Sequence, residues 1–134
     1  MKNQTKREIR NPIVKDKIAF LQIASETDNK LTWISVELAP EGKNDLHYHD
    51  NFEETFIAVE GTLGVTFGKE ELLLQPGESK TIPIGVLHRF YNPNDHPILF
   101  EVKINPSSRN FEEFLQILYG LARDGKTNQN SSKN

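Results

Sequence analysis

Apolar and polar positions alternate in short blocks along most of the chain. Residues 18–23 form a brief apolar run, and residues 31–38 place Ile34, Val36 and Leu38 in one phase and Trp33 in the other. Further blocks follow at 52–59, 63–67, 72–74, 80–82, 87–91 and 98–104. Turns such as Glu60-Gly61-Thr62 and Gln75-Pro76-Gly77-Glu78 separate them. A two-residue period is that of a strand with one buried face. Many short strands set apart by Gly- and Pro-bearing turns predict an all-β sandwich or barrel.

The period changes near the C-terminal end. Phe111, Phe114, Leu115, Leu118 and Leu121 recur at three- and four-residue steps, which predicts one amphipathic helix over about 110–123. Asn110 followed by Glu113 has the form of a capping pair, and Gly125 that of a terminator. The apolar face of this helix needs a cover. One end or face of the barrel would serve, and so would a second copy of the chain. Residues 18–23 pose the same choice, pairing within their own sheet or across to a partner. The Asn-, Ser- and Lys-rich segment 126–134 is expected to be a disordered tail. One domain over residues 1–125 remains, with its barrel core at about 31–104.

Composition narrows the function. With 134 residues, 36% hydrophobic and 26% charged, the chain reads as one globular domain with a real core. No apolar run approaches the ~20 residues of a membrane helix, so no membrane association is expected. Residues 1–10 are polar and lack the apolar centre of a secretory signal, which makes a cytoplasmic location the expectation. A net charge of −3 and a pI near 5.8 argue against nucleic acid as a partner, because phosphate neutralisation needs clustered Lys and Arg. The chain has no cysteine, so disulfides, thiolate nucleophiles and thiolate metal ligands are all excluded. A metal site here must use nitrogen and oxygen donors.

Four histidines are available. His96 lies in the turn-like run Asn-Pro-Asn-Asp-His-Pro and is expected at the surface. The other three fall in two clusters. In the first, His47 and His49 are two residues apart, a spacing that on a strand turns both imidazoles to one side. Glu54 follows after a short break, where a turn would bring its carboxylate back toward them, and Glu53 competes for that role. The second cluster runs from Gly77 through Pro83, Gly85 and His88 to Asn92.

In this second cluster the sequence resembles the cupin superfamily. That family's motif is Gly, five residues, Pro, one, Gly, two, His, three, Asn, and Gly77, Pro83, Gly85, His88 and Asn92 match it throughout. The family's first motif is met by His47, His49, Glu54 and Gly61. Its leading glycine is displaced, since Gly42 precedes His47 by four intervening residues instead of five. The resemblance covers about residues 31–104. It implies a jelly-roll β-barrel, a homodimer, and one divalent transition metal held by His47, His49, Glu54 and His88. The six-residue gap to Gly61 selects Glu54 over Glu53. Three imidazoles and a carboxylate suit Fe, Mn, Ni, Co, Cu or Zn without ranking them.

With Glu54 and His88 facing inward, strand phase puts Phe56, Ala58, Val86 and Phe90 inward too, and Phe100 is a further candidate for the lining. Such a lining is either plain barrel core or an apolar pocket above the metal. Two functions follow. One is a metal-dependent enzyme, dioxygenase-like or isomerase-like, acting on a small organic molecule. The other is a non-catalytic binding module or sensor whose metal is structural.

Overall fold

The computed structural model describes residues 7–123. Nine strands and one helix make up the regular structure: β1 (Glu8–Asn11), β2 (Asp16–Gln22), β3 (Thr32–Leu38), β4 (Glu53–Glu60), β5 (Leu63–Phe67), β6 (Glu70–Leu74), β7 (Ser79–Ile82), β8 (His88–Tyr91), β9 (Ile98–Asn105) and α1 (Arg109–Arg123). A 3-10 turn at Ala24–Glu26 follows β2. The strands form two antiparallel sheets, a six-stranded one in the order β1-β2-β3-β9-β4-β7 and a three-stranded one in the order β6-β5-β8. This is the all-β jelly-roll barrel with one C-terminal helix that the sequence led us to expect.

Register shows why these residues make a barrel. On the inner face of the large sheet, Ile18, Val36, Phe100 and Ala58 lie in one cross-strand row. Phe20, Ile34, Val102 and Phe56 form the next row. All eight are buried. The small sheet closes over them with Leu63, Val65 and Leu74. The outer face keeps the other phase: Trp33 donates its indole N–H to Glu101 at 3.0 Å and carries Lys103 over its ring.

Three features depart from the sequence expectations. The first is β1, which the pattern did not single out because only Ile9 of its four residues is apolar. It is an edge strand paired to β2, so residues 18–23 find both partners, β1 and β3, within their own sheet. The barrel therefore begins well before residue 31. The second concerns His47 and His49, which lie outside any named strand. The third is the helix cap. Ser108 accepts the Phe111 backbone N–H at 3.0 Å on its hydroxyl and the Glu112 N–H at 3.1 Å on its carbonyl. Ser108 thus does what Asn110 was expected to do, and the helix starts one residue earlier. Gly125 and residues 126–134 lie outside the described residues.

Two buried polar links fasten α1 across the barrel. Glu112 is buried and accepts from the Ala24 backbone N–H at 2.8 Å and from the Thr32 hydroxyl, joining the start of the helix to the turn after β2 and to β3. One turn and more later, the Tyr119 hydroxyl donates to Asp16 Oδ2 at 2.8 Å, joining the helix to β2. Leu115, between them, is buried in the core. The helix is therefore a cover on its own barrel. Burial raises the Asp16 carboxyl to about 7, although the Tyr119 hydroxyl pulls the other way, and burial likewise raises Tyr119 well above the usual phenol range. Asp16 Oδ1 is buried without a partner, consistent with a carboxyl that pays for its charge.

Two stability outcomes are expected. Glu112→Ala leaves the Ala24 N–H and the Thr32 hydroxyl buried and unpaired, at roughly 1–3 kcal/mol for each group, read by chemical denaturation. Asp16 has a raised folded pKa, so the folded state holds its proton where the unfolded chain does not. Its contribution is most favourable at low pH and declines as pH rises from 3.8 to about 7. Asp16→Asn should therefore raise the thermal midpoint, and by more at pH 8 than at pH 5. An equal change at both values would show that the carboxyl charge is not what matters there.

Candidate metal centre

The four residues singled out by the family resemblance arrive from three places. Glu54 is on β4 and His88 opens β8, while His47 and His49 lie on the extended segment that precedes β4. That segment is held by a reciprocal backbone pair: His47 N–H donates to the His88 carbonyl at 3.0 Å, and His88 N–H to the His47 carbonyl at 2.8 Å. Gly85 N–H donates to the His49 carbonyl at 2.9 Å. A strand-like spacing therefore works without a strand, because the segment borrows its partners from the second motif.

The motif's other positions have structural reasons. Gly85 sits at φ +84°, a left-handed conformation in the turn that aims β8. Gly61 sits at φ +82° after β4, and a side chain there would press into Ile98. Asn92 is buried, donating to the Leu38 and His96 carbonyls at 3.0 and 2.9 Å and accepting from the Asn94 N–H at 2.7 Å. It ties the end of β8 to β3 and touches no part of the centre.

One ligand-capable atom from each of His47, His49, Glu54 and His88 falls within 4.8 Å of the others. Glu54 faces inward and is buried; Glu53, one residue earlier, is exposed. Glu54 Oε1 is 2.7 Å from His88 Nε2 and 3.3 Å from His49 Nε2. Burial alone would raise the Glu54 carboxyl, but the His49 and His88 imidazoles outweigh it and hold the group down to about 2. The same carboxylate outweighs burial at His88 and raises that imidazole, whereas burial and the neighbouring rings lower His47.

The second nitrogens are engaged in orienting the rings. His47 Nδ1 is 2.7 Å from the Asp45 carbonyl and His88 Nδ1 is 2.9 Å from the Val86 carbonyl. Each Nδ1 then carries the hydrogen, and each Nε2 faces the cluster, the arrangement that fixes metal-binding imidazoles elsewhere. His49 stacks on Phe52 at 4.3 Å and meets Phe111 of α1 edge-on at 5.6 Å. Its Nε2 is buried and close to Glu54 but makes no aligned hydrogen bond. Three nitrogens and one oxygen with a buried nitrogen left unpartnered fit a divalent transition ion. His96 stays exposed, 3.0 Å from the Pro97 carbonyl, and belongs to no such cluster.

The cluster opens onto a cavity of about 600 Å³ between the inner face of the large sheet and α1. Of the lining residues expected from strand phase, Phe90 is on its wall. Phe56, Ala58 and Phe100 are fully packed beneath, with Phe90 5.1 Å from Phe100 and 6.2 Å from Phe56. Val86 packs against the core and serves His88 through its carbonyl. Strand phase identifies which way a side chain points, but not where the barrel stops being solid. The sheet wall is instead Ile18, Ile34, Val36 and Val102, and the opposite wall is Phe111, Leu115 and Leu118 of α1. The helix periodicity carried the signal for the latter group. Nothing in the sequence said which face of the barrel the helix would cover.

A family model of the cupin domain matches residues 34–102, just over half of the chain. Among curated proteins, the xanthan biosynthesis protein XanB of Xanthomonas campestris pv. campestris is 41% identical over 69 residues, which are 51% of this chain and 15% of that protein. The chain thus spans only a small part of that relative's length. Among solved structures, a predicted oxalate decarboxylase from Thermotoga maritima superposes with a TM-score of 0.65 at 18% identity, covering 68% of this chain and 80% of that one. A cupin-superfamily sugar phosphate isomerase from Silicibacter pomeroyi superposes with a TM-score of 0.59 at 26% identity, covering 68% and 59%. With the barrel, the paired motifs and the four converging side chains in agreement, the chain belongs to the cupin family.

Proposed function

We propose that the protein is a metal-dependent enzyme acting on a small organic molecule bound in the cavity beside His47, His49, Glu54 and His88. The observation that carries this reading is the meeting of four donor residues at the wall of an open cavity of about 600 Å³, a size in the range of ligand sites. A non-catalytic binding module would share this cavity, and turnover is what separates the two. When bound, a divalent ion of the Fe, Mn, Ni, Co, Cu or Zn group would supply Lewis acidity or oxygen activation at this wall.

The chain's own groups do the rest. The Asp45 and Val86 carbonyls fix two of the rings, and Phe52 with Phe111 clamps the third. The burial of Glu54 and His88 keeps water from the inner side of the cluster. The names of the two solved relatives, a predicted oxalate decarboxylase and a sugar phosphate isomerase, support a catalytic use of such a barrel.

Purified protein is expected to carry about one equivalent of a divalent transition metal by elemental analysis. Glu54→Gln should lower metal affinity by roughly 10²-fold or more, beyond the usual effect of removing an orienting partner. His88→Ala should lower metal content and abolish turnover together. Full turnover in chelator-treated, metal-free protein would overturn the reading.

A further inference from the structure

The wall of the cavity carries information about its ligand that the four donor residues do not. Counting across the large sheet, Glu54 is on β4, Val102 on β9, Ile34 and Val36 on β3, Ile18 on β2 and Asn11 on β1, and each of these lines the cavity. At about 4.8 Å per strand, the floor extends up to roughly 19 Å from the metal centre. Between its two ends the floor is aliphatic. The roof is the apolar face of α1.

Charge is distributed with equal bias. Among the described residues, no Lys or Arg lines this cavity, whereas Asp45, Asp50 and Glu54 do. Asp45 and Asp50 are exposed at the rim. Apart from the ion itself, a phosphate ester or a dicarboxylate entering here would meet no guanidinium or ammonium, and it would pass two carboxylates on the way in.

Four polar side chains on the wall each have a polar atom already engaged, whereas Tyr48, Asn51 and Asn110 line the cavity from exposed positions. Asn11 Oδ1 accepts from the Ile13 and Val14 N–H groups at 2.8 and 3.1 Å. Asn44 Oδ1 accepts from the Phe90 N–H at 2.9 Å, and the Ser108 hydroxyl oxygen accepts from Phe111. The Tyr119 hydroxyl donates to Asp16. A polyhydroxylated ligand would bury its hydroxyls against Ile34, Val36 and Val102 with few partners, and each unpaired group costs about 1–3 kcal/mol.

We propose that the cavity takes an uncharged, largely apolar small molecule that presents one or two oxygens to the histidine cluster, and that it discriminates against phosphate esters and dicarboxylates. Leu118 on α1, together with Val36 and Val102 on the sheet, selects the apolar body. This inference rests on the metal-site reading above for the ligand's oxygen end, while its apolar part rests on the wall alone. It sets this cavity apart from what the names of the two solved relatives suggest, oxalate for one and a sugar phosphate for the other.

The test is a titration of zinc-loaded protein with methyl benzoylformate (a neutral α-keto ester with a phenyl body and no acidic proton), oxalate and glucose 6-phosphate, with metal content measured before and after. Methyl benzoylformate is expected to bind at least tenfold more tightly than either anion. Leu118→Lys, which puts a cation on the roof, should narrow that ratio at least tenfold. Phe114→Ala, at a half-exposed lining position that tolerates truncation, should weaken methyl benzoylformate alone and guards against misfolding of the first variant. Metal-loaded protein that prefers oxalate or glucose 6-phosphate overturns this inference and leaves the metal reading standing. Protein that takes up no metal overturns the metal reading, and the same titration on the metal-free chain then decides the preference of the wall.

Discussion

His47, on a segment outside any regular strand, exchanges a pair of backbone hydrogen bonds with His88 at 3.0 and 2.8 Å. That exchange fastens the segment carrying two imidazoles to the first residue of β8, which carries the third. Earlier in the same connection between β3 and β4, the Asn92 N–H donates to the Gly42 carbonyl at 3.0 Å and the Phe90 N–H to Asn44 Oδ1 at 2.9 Å. Gly85 adds a third bond to the same segment, from the left-handed turn just before β8. The two sequence motifs are thus one structural unit, each supplying the hydrogen-bond partners the other lacks. Glu54 completes it from the large sheet, where its register opposite Ile82 and Ile104 sets its inward direction.

The carboxylate of Glu54 is also the electrostatic reason the cluster tolerates burial. Three imidazoles with ring centroids 4.4 to 5.3 Å apart would repel one another if protonated. A single buried anion 2.7 Å from His88 and 3.3 Å from His49 offsets this. The price is a strong competition between proton and metal, because the group that stabilises a protonated His88 is one that a cation would bind. Metal uptake by such a centre is accompanied by proton release.

Much of this was legible in the chain itself. Alternation located eight of the nine strands, and the change to a three-to-four-residue period located the helix. The resemblance to the family's motif, through the six-residue gap to Gly61, chose Glu54 over Glu53, and the two do face opposite ways on β4. What could not be read has equally physical reasons. β1 has one apolar residue, too few to carry a period. The helix cap was expected at Asn110, but Ser108 is equally able to accept a first-turn N–H and takes that place. The true cavity lining was hidden because inward-facing residues at the solid middle of a barrel and at its open end follow the same alternation. Only the position of α1, pinned by Glu112 at one end and by Tyr119 at the other, tells them apart.

The family match ends at residue 102, and α1 begins at Arg109. The four clustered residues lie within that span, whereas the roof of the cavity is α1 and much of its far floor is β1 and β2. The shape of the cavity and the grouping of its donors are thus set by different stretches of the chain. A change of side chain on the apolar face of α1 would reshape the cavity without touching His47, His49, Glu54 or His88. In a barrel built this way, the fit to a ligand can be altered while the cluster stays as it is.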